Sequence, residues 1–190
     1  MAIDWNNPRN INEKRYRCGY CGLEVGPSYG YDASKSSHKI YICPNCNKPS
    51  YYDPNTGKIT PGVAYGEQIN NIPYPPVKEL HEEARRCMAE NCFTAAVLCC
   101  RKLLMNVSVS LGAPKNKNFA EYVEFLDSNH YINPSAKSWV DIIRKKGNEA
   151  THEIPTISES DAQRIIKFSE MLLKTIFEYP ALATEVEEQT

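Results

Sequence analysis

The chain has 190 residues, 42% of them hydrophobic and 24% charged, with a formal net charge of −1. That composition suits one ordinary globular domain or two small ones, and a charge so near zero gives no global argument for a nucleic-acid binder. No run of eighteen consecutive apolar residues is present and the opening "MAIDWNNPRNINEKRYR" lacks an apolar core, so neither a membrane span nor a secretion signal is expected and the chain reads as cytoplasmic.

Charge is uneven along the chain. Residues 1–60 carry eight Lys+Arg against five Asp+Glu, while the remainder carries fourteen against eighteen. The basic front is where the first motif lies. Of eight cysteines, four form two CxxC pairs, "CGYC" at Cys18 and Cys21 and "CPNC" at Cys43 and Cys46. In a reducing compartment such pairs read as metal ligands rather than disulfides. Each CxxC turn lets two thiolates converge on one ion, and two turns complete a tetrahedral four-sulfur shell, which makes the metal structural. Between the pairs the chain reads strand, polar loop, strand. The pattern is that of a zinc ribbon over residues 1–56, with iron able to take the same geometry. His38 could replace a ligand, but with four cysteines available it reads as a surface loop histidine. A module this small has little core of its own, so Zn²⁺ supplies much of its folding energy. Tyr16, Arg17, Tyr20, Tyr29, Tyr31 and Lys35 are candidates for a stacking and phosphate-binding surface, or for simple packing.

Residues 57–76 are rich in proline and glycine and read as a linker, and no internal repeat is evident. From residue 77 to 180 the period becomes helical. "VKELHEEARRCMAEN" places Val77, Leu80, Ala84, Cys87 and Met88 on one face, after two prolines suited to a helix start. "CFTAAVLCCRKLLMNVSVSLG" is largely apolar and predicts the central helix of a bundle, ending at Gly112. A short amphipathic helix, "FAEYVEFLDSN", follows. "NPSAKSWVDIIRKKGNEATHE" starts with Asn133 as N-cap and Pro134 at the first helical position, and Pro155 marks its end. "SESDAQRIIKFSEMLLKTIFEYP" begins with the cap-like pair Ser158 and Asp161 and stops at Pro180. The expected fold is mostly α: a bundle of about five helices behind a small β zinc ribbon, with residues 181–190 as an acidic, frayed tail. Cys87, Cys92, Cys99 and Cys100 fall on the first two helices and read as core packing.

The runs "ELHEEARRCMAENCFTAAVLCCRKLLMNV", "IIRKKGNEATHE" and "SESDAQRIIKFSEMLLKTIFEYP" resemble domain-of-unknown-function family 4145, which is similar to the HEPN superfamily of helical nucleotide-binding domains. The resemblance covers roughly residues 70–180. It implies a HEPN-like bundle, often a homodimer, with ties to RNA cleavage, nucleotide binding, or protein partners in prokaryotic restriction and phage-defence complexes. The HEPN ribonuclease motif pairs an arginine and a following polar residue with a histidine. Asn148 and His152 match its last two members, but Gly147 stands where the arginine belongs, and Arg144 lies a turn earlier.

Helical geometry brings these positions together without the resemblance, because residues 144, 148 and 152 drift by only about 80° around a helix. His152 is suited to act as base on a ribose 2′-OH, Arg144 to grip phosphate, and Asn148 to orient either. The same residues equally suit packing and pairing, with Arg144 partnered by Glu82 or Glu83. Two functions follow. One is a non-catalytic adaptor engaging RNA, a nucleotide or a protein partner. The other is a metal-independent dimeric endoribonuclease using Arg144 and His152 and leaving a 2′,3′-cyclic phosphate.

Overall fold

A computed structural model describes residues 3–133, 137–152 and 157–187, and among these the side chains of all but 137, 147–152 and 185–187. The chain divides into two compact units, Met1–Ala64 and Tyr65–Thr190.

The N-terminal unit is built from short antiparallel strands. β1 (Arg9–Asn10), β4 (Tyr29–Asp32), β5 (Lys39–Ile42), β6 (Pro49–Tyr52) and β7 (Ile59–Thr60) form a five-stranded sheet in the order β1-β4-β5-β6-β7, and β2 (Tyr16–Arg17) pairs with β3 (Glu24–Val25). Register across the central strands aligns Tyr31 with Ile40 and Ile40 with Tyr51. Because side chains alternate between faces, Tyr41, Ser50 and Gly30 lie together on the opposite face, where all three are buried. The Tyr41 hydroxyl donates to the Asn12 carbonyl at 3.0 Å, which satisfies that buried phenol.

The sheet continues to Thr60, so the ribbon does not stop at residue 56 and the linker does not begin at 57. The cause is a turn that the absence of a sequence repeat did not anticipate. "DPNTGK" (Asp53–Lys58) joins β6 to β7 on the same plan as "CPNCNK" (Cys43–Lys48), which joins β5 to β6. In the Cys43 turn, Cys43 N–H donates to Lys48 O and Asn47 N–H returns to Cys43 O; in the other, Asp53 N–H donates to Lys58 O and Gly57 N–H returns to Asp53 O. The turn between β2 and β3 repeats it with Cys18, Gly22 and Leu23. At its fifth residue each turn needs a left-handed backbone, supplied by Gly22 (φ 72°), Asn47 (φ 55°) and Gly57 (φ 72°).

The C-terminal unit opens on a strap rather than a free linker. Arg85 is buried, and its Nε donates to Tyr65 O at 2.8 Å while Nη1 pairs with Glu82 at 3.0 Å. Glu67 N–H donates to the buried Glu170 carboxylate at 2.7 Å, Asn70 Nδ2 donates to Glu178, and Ile69 sinks into the helical core. Residues 65–72 are therefore bound to the helices by polar anchors, although they fall within the stretch that reads as a linker.

α1 (Pro75–Ala89) carries its two prolines in the first turn, where the missing N–H groups would have had no partner. α2 (Phe93–Ser110) packs against α1, α3 (Phe119–Ser128), α4 (Lys137–His152) and α5 (Glu159–Leu173), which makes it the central helix. By length and composition alone α2 is apolar enough to cross a membrane, with a mean hydropathy of 1.3. Its buried face, from Ala96 through Leu103 and Leu104 to Val107, is instead the heart of the bundle, and Arg101 and Lys102 interrupt the run. α3 starts with a reciprocal capping box between Asn118 and Glu121. The Ser158 hydroxyl caps α5 by accepting the Asp161 N–H at 3.2 Å. The start expected for α4 at Asn133–Pro134 and its end at Pro155 fall outside the described residues.

Pro180 does not stop the last helix. A π-helical turn, Lys174–Glu178, follows α5, and α6 (Tyr179–Glu187) begins with Pro180 as its second residue, so the segment expected as a frayed tail is helical through Glu187. Leu173, Lys174 and Tyr179 at the joins all keep right-handed helical angles, so the helix is continuous and Pro180 lies inside it, where the wider π turn just before it accommodates a residue without an N–H. Cys99 and Cys100 pack in the core as expected, Cys87 is half-buried, and Cys92 is exposed. Asn91, in the left-handed conformation at φ 59°, reverses the chain between α1 and α2 and leaves Cys92 outside as the residue before α2.

Candidate metal centre

The two cysteine turns face each other. Cys18, Cys21, Cys43 and Cys46 bring their Sγ atoms within 4.8 Å of one another. Cys18 lies 3.8 Å from Cys46, and Cys21 lies 3.8 Å from Cys43. These separations are far too long for disulfides, whose sulfurs lie about 2.05 Å apart. They fit a metal: a tetrahedron with metal–sulfur bonds of about 2.3 Å has edges of about 3.8 Å. Cys18 and Cys43 are buried with Val25, and Tyr16 packs against them.

The thiols differ in how readily they ionise. Burial pushes Cys18 up, and burial together with neighbouring thiols pushes Cys46 up to about 12. Burial also raises Cys21, but the Leu23 N–H, the Asn45 side chain and the adjacent cysteines outweigh it and bring the thiol down to about 7. One thiolate is thus easily held, whereas four need a cation among them, and this is the donor set of a closed metal site. Gly19 answers to the backbone that follows β7. A Cβ there would stand 2.1 Å from the Pro61 carbonyl oxygen, so the first CxxC must carry a residue without a side chain.

The structure sorts the other candidates of the N-terminal unit. His38 takes no part in the sulfur cluster; its ring stacks on Tyr51 at 5.8 Å and its Nδ1 shares a 2.6 Å hydrogen bond with the Tyr51 hydroxyl. Tyr16 packs against the cysteines, and Tyr20 lies beneath the Lys48 ammonium at 4.8 Å. Arg17 folds back onto the Gly22 carbonyl at 2.7 Å, and Tyr31 donates to the Asn6 carbonyl at 2.8 Å. The six residues singled out as a stacking surface thus have separate local roles or, for Tyr29 and Lys35, lie exposed.

In the helical unit, α4 carries positions 144, 148 and 152 in one continuous helix. The side chains of Asn148 and His152 lie outside the described residues. Arg144 is exposed, and its guanidinium pairs with Asp141 at 3.2 Å rather than with Glu82 or Glu83. Glu82 is engaged by Arg85 on α1 itself. The Arg144 carbonyl accepts from Arg101 Nη1 at 3.3 Å, and Arg101 also lies 4.2 Å over the Phe119 ring, so this part of α4 is tied to α2 and α3.

These features define a protein with a cluster of four cysteines compatible with a metal ion, followed by an all-helical domain. The model of the domain of unknown function DUF4145 matches residues 82–189, more than half of the chain, and the chain belongs to that family. The match begins inside α1 and runs through α6, so it covers the helical unit and leaves the cysteine turns outside. Comparison with curated proteins and with solved structures finds no match.

Proposed function

We propose that this protein is a HEPN-like adaptor, braced by a structural Zn²⁺ held by Cys18, Cys21, Cys43 and Cys46, that engages RNA, a nucleotide or a protein partner without cleaving it. The observation that carries this reading is Gly147, which stands where the ribonuclease motif of the resembled superfamily has its arginine. Of the cations beside it, Arg144 pairs with Asp141 at 3.2 Å on the same exposed helix face and Lys146 pairs with Asp161 at 3.0 Å. The metal does not restore catalysis, because four thiolates close its shell and leave no position for water or substrate. The family resemblance supports a homodimer and a setting in prokaryotic phage defence or restriction.

The competing reading is the metal-independent endoribonuclease using Arg144, Asn148 and His152. One assay separates them. Purified protein is incubated with mixed single-stranded RNA in EDTA, beside His152→Ala, and both intact and cleaved RNA are followed. The adaptor reading expects intact RNA from both proteins. Cleavage by the parent, with 2′,3′-cyclic phosphate ends, that His152→Ala abolishes overturns it.

A further inference from the structure

We propose that Cys87 and Cys92 are a redox-active thiol pair, which a low-molecular-weight disulfide such as oxidised glutathione converts reversibly to an internal disulfide stapling the end of α1 to the start of α2. The pair belongs to the helical unit, not to the cluster of Cys18, Cys21, Cys43 and Cys46, and it is independent of the adaptor reading.

Backbone geometry brings the two residues together. Asn91 is left-handed at φ 59°, its N–H donates to the Met88 carbonyl at 3.0 Å, and the Cys92 N–H donates to the Cys87 carbonyl at 2.7 Å. These two bonds make a Schellman motif, which ordinarily sets the side chains of its first and last residues against each other. The same motif closes α3 and α2. At α3 the Tyr131 N–H donates to Leu126 at 2.9 Å and the His130 N–H to Asp127 at 3.0 Å, and the Leu126 and Tyr131 side chains both join the helical core. At α2 the Ala113 N–H donates to Ser108 at 3.0 Å, and both residues are buried. At α1 the same two positions hold thiols. With the Cys92–Cys87 bond at 2.7 Å, standard bond lengths keep the two Cα atoms within about 6.6 Å, inside the roughly 4.4–6.8 Å that disulfides span. In the reduced form the Cys92 Sγ makes a weak hydrogen bond to the Glu90 carbonyl at 3.7 Å, and rotation about one side-chain torsion turns it toward Cys87.

Exposure sets the order in which the thiols react. Cys92 is exposed and lines a cavity of about 570 Å³ with Phe93, Leu98 and Ile157, a volume that admits a small-molecule disulfide. Cys87 is half-buried, and burial, the Glu83 carboxylate and Cys92 raise its thiol, with Cys99 offsetting part of the rise. Cys99 is 9% exposed, and burial pushes its thiol up to about 12, so it is the least ready of the three to react. Cys92 therefore attacks first. Having given its proton to water, it attacks one sulfur of the small disulfide, forms a mixed disulfide, and releases the other half as a thiolate. Cys87 then gives its proton to water and attacks the Cys92 Sγ, and the second half leaves as a thiolate. The two protein thiols lose two electrons, and one small disulfide is reduced to two thiols. Because Cys87 is held protonated by burial, the second step is the slower one.

The test equilibrates the full metal-loaded chain in glutathione buffers of rising oxidised-to-reduced ratio, beside Cys87→Ala and Cys92→Ser. After an acid quench, free thiols are alkylated in denaturant. The tryptic peptide Cys87–Arg101, which holds Cys87, Cys92, Cys99 and Cys100, is then sequenced by mass spectrometry. The parent is expected to lose two hydrogens, with Cys87 and Cys92 closed to alkylation and Cys99 and Cys100 open to it, and excess reduced glutathione should reverse the change. In Cys87→Ala, Cys92 should accumulate a full equivalent of glutathione, because nothing resolves the mixed disulfide. In Cys92→Ser, Cys87 should remain a free thiol at ratios that fully oxidise the parent. Far-UV circular dichroism is followed at each ratio. A mixed disulfide that persists on Cys92 of the parent, a bridge from Cys87 to Cys99, or four free thiols at the most oxidising ratio each overturns the proposal. A Cys87–Cys92 bridge that forms only as the helical signal falls overturns it too, because it would then be a product of unfolding.

Discussion

His81 is a buried histidine with an unusual charge state. It lies on the packed face of α1 at 2% exposure, and its Nε2 has no hydrogen-bond partner among the described residues. Burial, reinforced by the Arg85 guanidinium, holds its pKa down to about 4. The folded form therefore keeps His81 neutral where the unfolded chain would protonate it. Its contribution is fully present above the ordinary histidine pKa of about 6.5 and is lost as pH falls from there to about 4. The loss over that window is on the order of 3 kcal/mol from this one group. Denaturant melts at pH 7 and pH 4.5 should show it, and His81→Leu, of similar volume and with no proton to gain, should remove most of the difference without destabilising at pH 7. A variant as sensitive to pH as the parent would refute this. The sequence placed His81 within "KELHEEA" but could not say which side of the helix was packed around it, since that depends on α2 and α5.

Among the elements, the three turns of the N-terminal unit show how one backbone plan is closed by two chemistries. In the Cys18 and Cys43 turns, thiols converge toward a shared ion. In the Asp53 turn the carboxylate accepts the Asn55 N–H at 2.9 Å and the Thr56 hydroxyl at 3.0 Å, and Thr56 Oγ1 accepts the Lys58 N–H at 3.3 Å. Asp53 and Thr56 stand where Cys43 and Cys46 stand one hairpin earlier, so side-chain hydrogen bonds replace the metal. These bonds and the nearby His38 hold the Asp53 carboxyl below the usual carboxylate range, with the Asn55 N–H the largest influence. Asp53→Ala should lower the melting temperature of the N-terminal unit and speed hydrogen exchange at Gly57 while leaving the metal stoichiometry unchanged. A loss of metal in that variant would show that the turn belongs to the metal site. Elsewhere the π-helical turn and α6 show the limit of a rule about proline. Pro180 lies inside a continuous helical run without ending it, because the π turn just before it accommodates the missing N–H.

On the scale of the whole molecule, two units carry two separate cores. One is centred on Cys18, Val25 and Cys43, and the other runs from Ile69 to Phe177 through all five helices of the bundle. The first core is tiny, and a metal held by its four cysteines would supply stability that burial alone does not; the second is ordinary in size. Removing the metal with a thiol-compatible chelator should therefore abolish a thermal transition belonging to residues 1–64 and leave the helical transition nearly unchanged. Cys18→Ser should reproduce the effect without chelator. A single transition that shifts as one would mean that the two units unfold together.

The sequence by itself determined what is local. Two CxxC spacings sufficed to predict a four-sulfur metal site, because each turn is built within six residues. Helical periodicity located the helices from Val77 onward, because burial of one face repeats every three to four residues. The family followed from the "EARRC", "AAVLCCR" and "GNEATH" runs. Tertiary structure alone decided what depends on distant partners. It brought Cys18 beside Cys46, anchored Tyr65 and Gly66 to Arg85, and set Glu67 against Glu170 across a separation of more than a hundred residues. It also joined Lys146 on α4 to Asp161 on α5 at 3.0 Å. A side chain's type and spacing state which chemistry is available to it, but the groups that pack beside it determine which of those chemistries it performs.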